Sequence, residues 1–178
     1  MSGIFEHLGA GEKSPEIINV FVEIARGSQN KYEFDKEAGV FRLDRVLYSP
    51  MHYPLDYGFV PQTLSEDGDP LDVLILGSDP VFPGCVVSVR PIGLLKMIDS
   101  GDLDYKILGV QHDNPRFDNI KTLEDIKISN PHLLREIAHF FAEYKRLQGK
   151  ITEVTDWMDT DFAKNEIKKA TANYKNGK

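Results

Sequence analysis

Cysteine is almost missing from this chain: Cys85 is the single thiol among 178 residues. That excludes an internal disulfide framework and any zinc or iron–sulfur centre built from several thiolates. Cys85 lies in the apolar stretch Gly84-Cys85-Val86-Val87, which predicts a buried free thiol in a reduced, cytoplasmic protein. Long apolar runs are also missing, and none approaches the roughly 18 residues of a membrane span. Met1 to Glu16 has neither the basic n-region nor the apolar core of a secretory signal. Positive charge is in short supply, with 21 Lys and Arg against 28 Asp and Glu and a net charge of −7. This balance weighs against general nucleic-acid binding, which draws on basic contacts to phosphates. An anionic substrate stays admissible if metal ions stand between it and the carboxylates. A Gly-rich phosphate loop ending in Lys-Ser/Thr is absent, as is a Gly-x-Ser-x-Gly nucleophile elbow. His52, His112, His132 and His139 have no metal-ligand spacing and are read as structural.

What is present is enough to build a core. Hydrophobic residues make up 41% of the chain and include ten Phe and seven Tyr, so a single domain over residues 1–178 is expected. Ile18, Val20, Val22 and Ile24 alternate with Asn19, Phe21, Glu23 and Ala25, the period of a strand with one aliphatic face. Lys31 to Asp35 and Val40 to Leu47 read as a hairpin around Lys36-Glu37-Ala38-Gly39. Leu71 to Leu76, Cys85 to Val89 and Tyr105 to Val110 are further strands. Two helices are predicted near the C-terminus. One has Asn130 as N-cap, Pro131 as its first residue and an end near Gly149, with an apolar stripe of Leu133, Leu134, Ile137, Phe140, Phe141, Tyr144 and Leu147. The other runs from about Thr160 to Tyr174, with Ala163, Ile167, Ala170 and Tyr174 on one face. Strands followed by helices indicate an α+β protein with a small mixed or barrel-like sheet, although spacing alone does not close a barrel.

The densest chemical signal is Glu66-Asp67-Gly68-Asp69-Pro70-Leu71-Asp72, directly before Val73-Leu74-Ile75-Leu76. Acidic runs usually face water. Asp72, however, stands between Leu71 and Val73 at the mouth of a strand, where an unpaired charge is costly. A second acidic loop carries Asp99, Asp102 and Asp104. If both loops meet at one rim of a sheet, their carboxylates stay ionised only with cations between them. Oxygen ligands without thiolates select hard ions such as Mg²⁺ or Mn²⁺. An EF-hand loop starting at Asp67 fails at Leu71, Asp72 and Ser78. Lys31, Arg45, Tyr53, Tyr57, Tyr144 and Lys145 are candidate partners for an anion, although each alone also suits a salt bridge or a core position.

In order along the chain, these segments resemble the soluble inorganic pyrophosphatases of the first family, short prokaryotic type. Asp67-Gly68-Asp69-Pro70-Leu71-Asp72-Val73 fits that family's Asp-rich signature at every position. The flanking blocks are Glu23-Ile24-Ala25-Arg26-Gly27-Ser28 with Lys31-Tyr32-Glu33, Leu43-Asp44-Arg45, and Tyr53-Pro54 with Tyr57-Gly58. Asp99 with Asp104 and Lys106, and His139-Phe140-Phe141 with Tyr144-Lys145, complete the set. The resemblance implies a five-stranded closed, OB-like β-barrel with flanking helices that hydrolyses pyrophosphate to two phosphates with Mg²⁺, for which Mn²⁺ or another divalent ion can substitute. By similarity Asp67, Asp72 and Asp104 hold one metal, and Asp72 shares a second. Asp99 and Asp104 meet metal arriving with substrate, and Glu23 helps through water. Lys31, Arg45, Tyr57, Tyr144 and Lys145 bind phosphate oxygens with Lys106 beside them, and Glu33 and Tyr53 give support. Asp69 accepts the proton. The family also implies a homo-oligomer, a hexamer by analogy. The competing readings are a metal-dependent phosphohydrolase of nucleotides, an oligonucleotide-binding barrel and a catalytically silent scaffold.

Overall fold

The computed structural model describes Phe5 and residues 7–177. Eight strands and three α-helices follow one another along the chain: β1 (Ile18–Ile24), β2 (Asn30–Asp35), β3 (Val40–Val46), β4 (Asp56–Phe59), β5 (Asp72–Leu76), β6 (Val86–Asp99), β7 (Asp102–Gln111), α1 (Leu123–Ser129), α2 (Leu133–Glu143), β8 (Thr152–Met158) and α3 (Thr160–Asn176). The large sheet has the order β1-β4-β5-β7-β6-β8, and β1 also pairs with β6. Five strands therefore close into a ring, as the resemblance implied, with β8 added outside on β6. All ring pairings are antiparallel except β5 with β7. β2 and β3 form a separate two-stranded ribbon.

Strands β5, β6 and β7 divide their side chains between two apolar layers. Val73 and Ile75 of β5 pack in the layer that takes Ala163, Ile167 and Ala170 of α3. Leu74, between them, packs in the layer that takes Ile137, Phe140 and Phe141 of α2. Burial on both faces is why β5 reads as an unbroken apolar run. The alternation in β1 is likewise realised: Ile18, Val20, Val22 and Ile24 are all at 0% exposure. Phe21, on the opposite face, is buried too, in an aromatic cluster with Phe34, Phe41 and Phe59.

One glycine is fixed by contact. A Cβ on Gly58 would lie 2.1 Å from the carbonyl oxygen of Phe21, so only glycine lets β4 lie this close to β1. That approach sets the depth of Tyr57 and Phe59 on either side of it.

The helical region differs from the sequence expectation. Asn130 is the C-cap of α1, and α2 starts at Leu133 behind His132, which makes no side-chain capping bond. Pro131 lies in the turn between the two helices. α2 ends at Glu143 and gives way to a 3-10 turn, Arg146–Gln148, closed by Gly149 at φ 73°. Leu147 thus leaves the apolar stripe and is 65% exposed. Cys85 is half-buried rather than buried, because it precedes β6 and stays at the surface of the ring. α1, β4 and β8 have no counterpart in the sequence reading. Among the described residues no helix is long and apolar enough to cross a membrane.

Candidate active site

The start of β5 and the β6–β7 connection bring both acidic loops to one end of the ring. Their carboxylates line a cavity of about 430 Å³ together with residues of the β2–β3 ribbon, β4 and the end of α2. Asp67, Asp69, Asp72, Asp99 and Asp104 all reach it, as do Glu23, Glu33, Lys31, Arg45, Tyr57, Lys106, Tyr144 and Lys145. Tyr53 does not line the cavity. It is buried behind the wall, with its ring 5.6 Å from Tyr57 and 4.9 Å from Phe140, and so supports the residues that do.

Asp72 and Lys106 are direct partners in the parallel β5–β7 register. The Lys106 ammonium donates to Asp72 and, at 2.5 Å, to Asp104 two residues before it on the same face of β7. The Tyr57 hydroxyl donates to the same Asp72 oxygen. Burial disfavours the Lys106 ammonium, but the charges of Asp72 and Asp104 outweigh that cost and hold it above the ordinary lysine range. Asp104 is itself pushed up, by burial and by repulsion from Asp72 and Asp67 that Lys106 offsets only in part. Asp67 is pushed up by burial and by the charges of Asp72 and Asp69. One ammonium thus serves three mutually repelling carboxylates.

At the second loop Asp99 accepts from Lys145. Burial opposes ionisation of Asp99, yet the hydrogen bond and charge of Lys145 keep it below the usual carboxylate range. On β1, the Glu23 carboxylate accepts the Phe34 N–H at 2.8 Å and so pins the ribbon to the ring. Burial, reinforced by Asp72, pushes Glu23 up to about 7 despite that hydrogen bond. On the ribbon Lys31 pairs with Glu33 and, at 3.1 Å, with Asp44. Arg45, opposite Lys31 in the hairpin register, has its Nη1 3.4 Å from Asp44. Its Nε is buried without a hydrogen-bond partner. Burial raises the Tyr57 and Tyr144 phenols, with help from nearby carboxylates, so both stay protonated donors at neutral pH.

Eight carboxylates line the cavity against five cations, counting Asp102 and Lys36, which the sequence reading left out of the site. The excess of three negative charges favours added cations, and an all-oxygen donor set suits hard divalent ions. Among the described residues no group of three His, Cys, Asp or Glu side chains is arranged, as it stands, to hold a metal ion. Lys106 stands between two of the carboxylates, and Lys145 holds a third. Asp102 could have been found as part of its acidic loop. Lys36 carries no sequence signal beyond its place in a hairpin turn.

Known proteins share both the sequence and the fold. The family model described as inorganic pyrophosphatase matches residues 20–175. An inorganic pyrophosphatase from Geobacillus stearothermophilus is 53% identical over 159 residues, covering 89% of this chain and 94% of the relative. One from Nostoc sp. is 52% identical over 164 residues, covering 92% and 95%. The crystal structure of the inorganic pyrophosphatase from Thermus thermophilus superposes with a TM-score of 0.90 at 45% identity, covering 94% of this chain and 97% of that one.

Proposed function

Because the chain belongs to the inorganic pyrophosphatase family, we propose that it hydrolyses inorganic pyrophosphate to two phosphates, as one domain over residues 1–178. The observation that carries this reading is the make-up of the cavity: an excess of carboxylates, most of them at the ring rim, faced by Lys31 and Arg45 on the ribbon, Tyr57 and Lys106 on the ring, and Tyr144 and Lys145 just past α2.

In this reading Asp67, Asp72 and Asp104 hold a divalent ion, Mg²⁺ with Mn²⁺ as a substitute, and Asp72 shares a second. Asp99 and Asp104 meet the metal that accompanies substrate, and Glu23 acts on it through water. When bound, such ions supply positive charge and lower the pKa of water from 15.7 to about 7.

The chain's own residues do the rest. Asp69 is exposed in the loop, its backbone N–H donates to Asp67 at 3.0 Å, and its carboxylate takes up the proton of the attacking water. Asp67 thereby fixes the position of the group that accepts the proton. Arg45 offers its planar fork to a phosphate oxygen pair, whereas Lys31 and Lys145 act as point charges. Tyr144 donates from α2. Tyr57, besides donating toward phosphate, orients Asp72. Lys106 neutralises Asp72 and Asp104 and, because it lines the cavity, meets a phosphate oxygen as well in this reading. Glu33 steadies Lys31, and Tyr53 backs Tyr57. Donors set in place before the reaction stabilise the charge that builds on the leaving phosphate.

The reading extends to a cytoplasmic homo-oligomer, a hexamer by family analogy. Tyr48 and Phe82 are 68% and 72% exposed, apolar surface that assembly would cover, and analytical ultracentrifugation would give the subunit number.

The test is phosphate release from pyrophosphate by the purified chain, with Mg²⁺ and with excess EDTA. A cavity of about 430 Å³ does not by itself exclude a nucleoside triphosphate, so ATP is run in parallel. Release from pyrophosphate alone, abolished by EDTA, is the expected result. Equal release from ATP would move the assignment to a broader phosphohydrolase, and release from neither would overturn it.

A further inference from the structure

Lys36 sits just past β2, in the turn between the two ribbon strands, and lines the cavity. The other four cavity cations all have carboxylate partners: Lys31 and Arg45 share Asp44, Lys106 holds Asp72 and Asp104, and Lys145 holds Asp99. Among the described residues Lys36 has none. Its neighbour Asp35 is already engaged, by Arg42 at 2.7 Å and by the backbone N–H groups of Glu37 and Ala38 at 3.1 and 2.9 Å. The Lys36 ammonium instead lies 5.2 Å from the centre of the Phe59 ring. A cation over an aromatic face is held in place without being neutralised. Phe59 is the direct partner of Asp72 in the β4–β5 pairing, so this seat ties the ribbon tip to the carboxylate rim.

We infer that Lys36 is a substrate-recruiting residue, an uncommitted cation on Phe59 that draws the anion into the cavity and contacts its oxygens on entry. Pyrophosphate carries up to four negative charges and stays net negative with one divalent ion attached. It would otherwise approach a mouth where carboxylates outnumber cations. A single free charge at that mouth raises the rate of productive encounter and acts most strongly at low ionic strength. Because Lys36 is exposed and held only by the ring, its contribution falls on capture rather than on the chemical step. The inference rests on the hydrolytic reading above and adds a residue outside the set named there.

The experiment compares the full-length chain with its Lys36→Gln and Lys36→Arg variants, measuring phosphate release from pyrophosphate over a range of ionic strength. Wild-type release comes first, since its absence would defeat the hydrolytic reading and not the role of Lys36. Given an active wild type, Lys36→Gln should lose roughly three- to tenfold in kcat/KM at low salt. The loss should shrink as salt rises, with kcat within about twofold and an unchanged melting temperature. Lys36→Arg should restore most of it. An unchanged kcat/KM at low salt, a loss that salt does not reduce, or a fall confined to kcat would each overturn the assignment.

Discussion

Asp72 and Lys106 face each other across the parallel pair β5–β7, and the lysine bridges from Asp72 to Asp104. The bridge spans the two strands that bring the acidic loops together, so it holds the rim closed in the absence of any other cation. The side chain of Lys106 is 4% exposed, which places the pairing in a setting where charges are poorly screened.

Removing that buried ammonium strands two partly buried carboxylates. Lys106→Met should destabilise the metal-free protein by about 3–5 kcal/mol, the usual cost of breaking a buried pair from one side. Millimolar Mg²⁺ should recover more stability in the variant than in the wild type. Urea unfolding followed with and without Mg²⁺ checks both statements, and equal Mg²⁺ effects in the two proteins would count against the shared-charge account.

Asp69 carries little of the fold. Its side chain is exposed, and its backbone is held by Asp67 and Ser65. Asp69→Asn is therefore expected to keep its melting temperature while turnover falls by roughly 10²–10⁴, the range for loss of a general base. Near-normal turnover would remove Asp69 from that role.

Arg45→Lys tests the forked contact. Lysine keeps the charge but loses the planar pair of nitrogens. A loss of roughly tenfold or more in kcat/KM for pyrophosphate is expected, because one charge-assisted hydrogen bond is worth about 1.5–3 kcal/mol. Steady-state kinetics decide it, and unchanged constants would place Arg45 outside the phosphate contacts.

Glu23 gives a pH dependence with a definite sign. Its carboxyl is raised from 4.5 to about 7, so between those values the folded metal-free protein binds more protons than the unfolded chain. Stability contributed by this group is full at low pH and is lost as pH rises from about 4.5 through 7, by at most about 3 kcal/mol. Glu23→Gln keeps an acceptor for the Phe34 N–H and removes the charge. In EDTA the variant should gain stability over the wild type at pH 8 and show little difference at pH 4. Urea midpoints at the two pH values test this, and parallel curves would contradict the assignment of the shift to Glu23.

The elements visible in the sequence were those whose residues are sorted by water. β1 showed itself through Ile18, Val20, Val22 and Ile24, and the ribbon through its turn at Lys36 to Gly39. The acidic loops marked themselves because Asp72 interrupts an apolar context. β4 was hidden because Asp56, Tyr57, Gly58 and Phe59 are all buried, and a strand covered on both faces has no alternation. β8 was hidden for the opposite reason: an edge strand with Glu153, Thr155 and Asp156 exposed shows little apolar signal. α1 did leave a mark, the capping box of Thr122 and Asp125, but the Asn130-Pro131 pair nearby offered a stronger-looking helix start. The pairing of Asp72 with Lys106 depends on which strands become neighbours, a property of topology that no local pattern carries.

The separation of the ribbon from the ring has a mechanical consequence. A closed ring has no free edge, so its strands cannot splay without breaking ladders on both sides, whereas a two-stranded ribbon bends readily about its base. Asp72 and Asp104 stand on strands of the ring, and Lys31 and Arg45 on the ribbon, with Lys36 in its turn. The ribbon is held to the ring by the Glu23 carboxylate on the Phe34 N–H and by Phe34 and Phe41 packed on Phe21, so its cations shift together, as one body, against carboxylates whose spacing the ring keeps.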